Sequence, residues 1–450
     1  MTESENPAAS APAARGRTVR ILHTSDWHLG RSIAEIDRTA DFRAFLDWML
    51  GLLEERRPDV LLIAGDVFDT TMPSTDAQRL YYDFLARAAR TPVGRIVITA
   101  GNHDSMRFLR AAEPLLEAQR TTVAGSTPEE EAVVVRDECG EPILGIAAVP
   151  YLREGDVRLS SIDDTDADRR AAWEAGVSEH YAAVRARLEQ RAGVGVPLVA
   201  VGHLFVAGSV VSTPEGPVAS PEASEAGDAV YVGGLRNVSA AAFGPGWRYI
   251  ALGHVHSPQT VRSEIPARYC GAPLVLDFGA LRDVQQVLEV EISADDVRIE
   301  SIPVPQPRRL VRLSGRLDEI QDGLVELGRS APGAVAEAVY RGPALDASTL
   351  VGELTRCAQA SGVHLAAVRT KLDRDPGATD DVVEGLDTIR PEAVFRSVLE
   401  RNGVPEDERA ALEPLFLEAL EAARIACELT EANAAEARRD LNEKTPENRQ

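Results

Sequence analysis

Leu61-Leu62-Ile63-Ala64-Gly65-Asp66-Val67-Phe68-Asp69 is the segment around which this chain is organised. Its apolar run is too short for a helix and ends in a glycine followed by a carboxylate. That pattern describes a buried strand whose C-terminal edge delivers Asp66 into a crevice, where open α/β sheets hold their chemistry. The same grammar recurs at four other points: Asp26-Trp27-His28, Gly101-Asn102-His103-Asp104, Gly202-His203 and Gly253-His254-Val255-His256. Each follows an apolar run, so each places Asp, Asn or His at one rim of a sheet. The set takes five of the eight histidines and leaves His23, His180 and His364 to structural roles.

Outward from that segment, residues 19–25 alternate apolar side chains and read as a strand entering a loop. Phe42, Phe45, Leu46, Met49, Leu52 and Leu53 recur at helical spacing before Pro58. Leu80, Phe84 and Leu85 mark a second helix, and residues 96–99 another strand. Strand–helix–strand–helix–strand at this spacing predicts a parallel sheet with right-handed crossovers. From residue 123 strands dominate, at 143–149, 198–201, 249–252, 269–270 and 287–292, with a helix over 173–191. Asp163, Asp164, Asp166 and Asp168 read as an acidic loop, and residues 212–227, rich in Pro, Ser, Gly and Glu, as a mobile one. Two packed sheets flanked by helices is the economical architecture for residues 18–303. The expected class is therefore α/β, with a two-sheet β-sandwich core.

At 450 residues the chain exceeds the size at which one core stops growing, so further domains follow. Residues 302–307, with three prolines, read as a stiff linker. Beyond it, alternating strands and helices over 308–373 predict a small α/β domain. Residues 385–450 carry two helical stripes, Val394, Phe395, Val398 and Leu399, then Leu412, Leu415, Phe416 and Leu420. Such a pair is too small to bury both stripes. It either grips a partner helix or coiled coil, or packs on its own domain. Residues 1–17 are rich in Ala, Ser and Pro without an apolar h-region, and read as a disordered tail on a cytoplasmic protein. No apolar run is long enough to span a bilayer. Four scattered cysteines form no CxxC pair, which argues against a disulfide framework or a zinc knuckle. The net charge of −23 sits awkwardly with nucleic-acid binding by the chain alone, since that rests on clustered Lys and Arg. Either the substrate is no polyanion, or metals and a partner supply the positive field.

Residues two apart on an extended chain point to the same side. Asp26 and His28 are therefore expected to converge on one ion, and His254 and His256 to enter one pocket. Carboxylate, imidazole and amide ligands without thiolate suit Mn²⁺, Fe or Zn²⁺. Asp66 is the natural bridge between two ions. Two ions roughly 3.5–4 Å apart polarise a phosphoryl group and ionise a bound water near neutral pH, so no separate general base is needed. His103 is the candidate acid, or transition-state stabiliser, for the departing oxygen.

This order of motifs resembles the calcineurin-like metallophosphoesterase superfamily. Within it, Ile21-Leu22-His23-Thr24-Ser25-Asp26-Trp27-His28-Leu29-Gly30 and Ala64-Gly65-Asp66-Val67-Phe68-Asp69-Thr70 are similar to the SbcD family of Mre-type nuclease subunits. So are Ala100-Gly101-Asn102-His103-Asp104-Ser105 and Tyr249-Ile250-Ala251-Leu252-Gly253-His254-Val255-His256. Tyr231-Val232-Gly233-Gly234-Leu235 and Arg268-Tyr269-Cys270-Gly271-Ala272-Pro273-Leu274 share the likeness, which covers about residues 18–310. The resemblance implies that Asp26, His28, Asp66 and His256 take a first metal, and Asp66, Asn102, His203 and His254 a second. It makes His103 catalytic, with Asp69 and Asp104 supporting from behind. The two divalent ions would be Mn²⁺, with Mg²⁺, Fe or Zn²⁺ as alternatives. It implies a homodimer within a heterotetramer with an SbcC-type coiled-coil ATPase. The activity implied is 3′→5′ exonuclease on duplex DNA and endonuclease on single strands or hairpins, in double-strand-break repair and recombination. By layout, residues 308–373 would cap the nuclease domain and residues 391–423 would bind the partner. A free-standing phosphoesterase acting on phosphoproteins or small phosphoesters is the alternative, and it needs no basic groove. A scaffold with a vestigial site is a third reading, disfavoured by the full ligand set.

Overall fold

A computed structural model describes residues 17–372, except 158–165, 208, 214–215, 220–236 and 344. The N-terminal tail, Asp163, Asp164, the Tyr231 motif and the expected helical pair at 385–450 lie outside the described residues. The first strands are β1 (Val19–Thr24), β2 (Val60–Ala64), β3 (Arg95–Thr99) and β4 (Thr121–Val123). There follow β5 (Ala132–Arg136), β6 (Pro142–Ala148), β7 (Leu198–His203), β8 (Val210–Thr213) and β9 (Gly216–Ala219). Next come β10 (Tyr249–Gly253), β11 (Gln259–Val261), β12 (Ala267–Tyr269), β13 (Gln286–Ile292) and β14 (Val297–Pro303). The last three are β15 (Leu310–Gly315), β16 (Val335–Gly342) and β17 (His364–Leu372).

One six-stranded sheet runs β14-β13-β1-β2-β3-β4 and a second runs β11-β12-β10-β7-β6-β5. Strands β1 to β4 are parallel, and so are β6, β7, β10 and β12. All five residues of β2 are buried. A parallel strand covered on both faces has no solvent side, which is why its sequence runs apolar without alternation. The inner faces meet through Ile21, Val60, Leu62 and Val97 of the first sheet and Leu144, Ile146, Val199, Val201 and Tyr249 of the second. The two-sheet α/β core expected from the sequence is the observed one.

Helices cover the outer faces. Phe42, Phe45, Met49 and Leu53 of the helix Thr39–Arg56 pack with Leu61 and Ile63 of the first sheet. On the second sheet, Trp173, Val177, Tyr181, Val184 and Leu188 of the helix Asp166–Ala192 form one stripe at spacings of three and four. Each such buried side chain contributes about 1.5–3 kcal/mol. No helix among the described residues is long and apolar enough to cross a membrane.

A third sheet, β15-β16-β17, is parallel throughout and packs on the helices Leu317–Ser330 and Ala347–Ala360. It abuts the preceding sheets through Leu310 and Val335 against Ile33, Val275 and Phe278. Arg312 donates to the carbonyl of Phe278 at 3.0 Å and also pairs with Glu337, which is buried. Arg308 reaches the buried Asp41 at 3.0 Å.

Three local expectations change. Asp166 and Asp168 belong to the helix Asp166–Ala192, since acidic residues suit the positive end of a helix dipole. Part of the loop expected at 212–227 is a hairpin, β8 pairing antiparallel with β9. Ile302 and Pro303 close β14, so the linker starts at Val304. Pro303 is tolerated there because β14 is an edge strand.

Candidate metal centre

The motif residues gather at the C-terminal ends of parallel strands from both sheets. The ends of β1, β2 and β3 carry Asp26 and His28, Asp66 and Asp69, and Asn102 to Asp104. Those of β7 and β10 carry His203, and His254 with His256. Trp27 sets the first of these loops. Its indole is fully buried against Phe45 and Phe84, edge-on at 5.6 and 5.2 Å between ring centres, and donates to Thr24 Oγ1 at 2.9 Å. Trp27 thereby belongs to the core under the helical layer, while Asp26 and His28 on either side of it belong to one group of donor atoms.

The backbone there is not the extended chain expected from the Asp-x-His spacing. Asp26, His28 and Asp66 have φ of 53°, 48° and 49°, and His254 has 92°. Left-handed conformations of residues other than glycine cost on the order of 1–3 kcal/mol each and persist where surroundings over-determine them. Here the surroundings are a backbone zipper, with Asp26 N–H donating to Gly65 O and His28 N–H to Asp66 O, both at 3.0 Å. Two glycines make the closure possible. A Cβ on Gly65, itself at φ 87°, would lie 2.2 Å from His203 Nδ1. One on Gly101 would lie 2.2 Å from Asp66 Oδ1.

Two groups of donor atoms result, Asp26 with His28 and His256, and Asp66 with His203 and His254, each within 4.8 Å. Asp66 links them, with Oδ2 3.6 Å from His28 Nε2 and 3.2 Å from His203 Nε2. Asn102 Oδ1 lies 3.1 Å from His203 Nε2 and 2.8 Å from His254 Nδ1. His28 Nε2 faces His256 Nε2 at 3.1 Å. The outward nitrogens are occupied: His203 Nδ1–H donates to Ala64 O at 2.9 Å and His28 Nδ1–H to Asp69 Oδ1 at 3.2 Å. This fixes the tautomer that leaves Nε2 as a donor atom facing the centre.

Electrostatics favour a cation here. Burial pushes the Asp26 carboxyl up, with Asp66 adding to the rise, while His203 and His28 oppose it. For Asp66 the same burial is outweighed by His203 and His28, and its carboxyl stays ionised far below the usual range. Burial lowers His203, yet the Asp66 carboxylate overrides it and holds that imidazole at about 9. Burial takes His254 down to about 3 and His256 well below its usual value, so both are neutral donors. Electron-rich atoms crowd to about 3 Å around one bridging carboxylate, and this donor set fits a pair of divalent cations.

A third group joins His28 and Asp69 to His103. The His103 backbone N–H donates to Asp66 Oδ1 at 2.8 Å, and its Nδ1–H to the Asp69 carbonyl at 2.8 Å. Asp104 is buried and accepts from the N–H groups of Val67, Phe68 and Gly101 at 3.1, 3.0 and 2.9 Å. It ties the β2 loop to the β3 loop. Two further residues escaped the sequence reading. Ser25 donates its hydroxyl to Asp26 and touches Cys270 Sγ at 3.0 Å. Arg31 holds Asp69 Oδ1 at 3.1 Å. Their proximity to Asp26 and His28 in the chain was the only sequence signal available.

A family model of calcineurin-like phosphoesterases matches residues 19–258. Among curated proteins, the SbcD chain of the SbcCD nuclease of Escherichia coli K12 is 32% identical over 298 residues, covering 65% of this chain and 71% of that protein. Its counterpart in Rhodobacter capsulatus is 33% identical over 398 residues, covering 84% of this chain and 93% of that one. The Bacillus subtilis counterpart is 31% identical over 265 residues, 58% of this chain and 63% of its own length.

Proposed function

The chain belongs to the calcineurin-like phosphoesterases and, among them, to the SbcD nuclease family, and from that membership we propose that it cuts DNA in complex with an SbcC-type coiled-coil ATPase. Asp26, His28, Asp66 and His256 would hold one divalent cation, and Asp66, Asn102, His203 and His254 the other. Mn²⁺ is the preferred ion. When bound, the pair would polarise the phosphodiester and make a water acidic enough to ionise near neutral pH. The observation that carries this reading is one carboxylate, Asp66, flanked by imidazoles from both sheets.

The chain's own residues supply the rest. His103 spends its Nδ1–H on the Asp69 carbonyl, which leaves Nε2 free of that bond. With a second proton held at Nε2, the ring would pass it to the departing oxygen and return to the neutral Nδ1–H form. Asp69 orients both His28 and His103, and Asp104 fixes the loops that carry Asp66 and Asn102. The finer activity is 3′→5′ exonuclease on duplexes and endonuclease on single strands and hairpins, performed by a homodimer within a heterotetramer in the cytoplasm. Residues 391–423 would dock on the ATPase, and 308–373 would cap the nuclease domain. Much of the positive field missing from a chain of charge −23 would then come from the partner.

The test is to incubate the full chain and Mn²⁺ with hairpin and blunt duplex DNA, with and without the ATPase and ATP. Cutting that depends on Mn²⁺ and rises with the partner supports the proposal. Robust hydrolysis of phosphomonoesters with DNA left intact, partner included, would replace it with a free-standing phosphoesterase.

A further inference from the structure

Beside the Asn102–His203–His254 group lies an aromatic surface that the chemistry above does not use. Tyr151 sits just past β6, where its backbone N–H donates to Ala100 O at 2.8 Å and so ties it to the loop bearing Asn102. Its ring centre is 6.4 Å from that of His203 at 80°, and 6.2 Å from that of His254 at 33°. Val149, Pro150 and Leu152 around it are buried, whereas Tyr151 is half-buried and belongs to none of the hydrophobic clusters. Its hydroxyl makes no hydrogen bond among the described residues.

Phe205, also half-buried, meets the same imidazole edge-on, 4.3 Å from His254 at 78°. Its backbone is clamped on both sides. Val238 N–H donates to Phe205 O at 3.1 Å, and Val206 N–H donates to Tyr269 Oη at 2.9 Å. Arg153, exposed, lies two residues past Tyr151 and close enough for its charge to act on the phenol. A folded chain ordinarily hides aromatic rings. Two partly open rings against one imidazole, each fixed by buried flanks, form a rigid platform.

We propose that Tyr151 and Phe205 form a nucleobase subsite, in which the base next to the scissile phosphate stacks on Tyr151 while Phe205 closes its edge. The proposal rests on the nuclease reading and specifies how that nuclease grips its substrate. Every base has a π-face, so stacking is indifferent to sequence. It also suits an acidic chain, which gains little from phosphate attraction. A base reaches such a platform only after leaving its own stack, so frayed, hairpin and single-stranded substrates are favoured over intact duplex.

The experiment uses the full chain with Mn²⁺, with and without the ATPase partner and ATP, and DNA carrying a tetrahydrofuran abasic nucleotide on one side or the other of the cleaved bond. For each protein variant the rate on intact DNA is divided by the rate on abasic DNA, which cancels any loss from misfolding. Wild type is expected to give a ratio of about ten at one of the two positions, within the range of stacking on one aromatic side chain. Tyr151→Ala should bring that ratio to about one, and Tyr151→Trp should preserve it. A wild-type ratio of one, or a Tyr151→Ala ratio equal to wild type, overturns the subsite while leaving the nuclease intact. DNA uncut by wild type under every condition removes the nuclease reading, and the subsite with it.

Discussion

Asp66 Oδ2 lies 3.2 Å from His203 Nε2, so a carboxylate from one sheet is bonded to an imidazole from the other at full burial. Burial opposes a charge on His203, but the carboxylate prevails and holds the ring protonated up to about pH 9 in the metal-free protein. To ligate a cation, His203 must lose that proton. Between pH 7 and 9, affinity for the ion assigned to His203 should therefore rise about tenfold per pH unit, with about one proton from His203 released as that ion binds. Calorimetry in buffers of differing ionisation enthalpy reads this directly. Binding without proton release at pH 7.5 would refute it.

The same pair makes a stability prediction of definite sign. A histidine whose folded-state value is raised above its unfolded one stabilises the fold below about pH 6.5 and loses that contribution as pH climbs through about 9. The metal-free melting temperature should fall across that window. Saturating Mn²⁺ should flatten the fall, and a profile unchanged in His203→Gln would count against the assignment.

Asp69 touches His28 at 3.2 Å, Arg31 at 3.1 Å and, through its carbonyl, His103 at 2.8 Å. Removing a carboxylate behind a metal-bound imidazole typically lowers affinity or activity about 10–100-fold. Asp69→Ala should do so while the protein melts within a few degrees of wild type. Unaltered Mn²⁺ affinity and unaltered cutting would mean that the orientation of His28 does not depend on it.

Gly65 has no room for a side chain, because His203 Nδ1 stands 2.2 Å from where a Cβ would be and φ is 87°. Gly65→Ala should destabilise the fold by on the order of 3 kcal/mol from strain and overpacking together. It should also weaken cation binding, since His203 must move. Circular dichroism melts and Mn²⁺ titrations of the variant check both, and a variant as stable as wild type would contradict the close approach.

How much of this was legible beforehand follows from range. Apolar runs ending in glycine and a polar side chain are local, so Asp66, Asn102, His203 and His254 could be read from their own strands as candidate ligands. The pairing of β1 with β13 joins Val19 to Ile292, and no local pattern encodes so distant a partner. The left-handed backbone of Asp26 and His28 was hidden for a related reason: it is imposed by hydrogen bonds to Gly65 and Asp66. Ser25 and Arg31 act through single contacts that leave no periodicity. Tyr151 is one aromatic in a loop, visible only when β6 brings it beside His254.

His103, the proposed acid, is the residue at which binding and chemistry should separate. Its backbone N–H supports Asp66 whatever the side chain, while its imidazole touches the centre through Asp69 and packs edge-on with His28 at 4.9 Å. In His103→Gln the backbone bond survives and the proton donor does not. Cutting should fall about 10²–10⁴-fold, the usual contribution of a positioned acid. Mn²⁺ affinity should stay within about threefold, well short of the tenfold or more expected for loss of a supporting ligand contact. Single-turnover cleavage beside a Mn²⁺ titration measures the two separately. A parallel collapse of both would make His103 a structural support of the metal centre rather than its acid, and a full cleavage rate would mean that solvent supplies the proton to the departing oxygen.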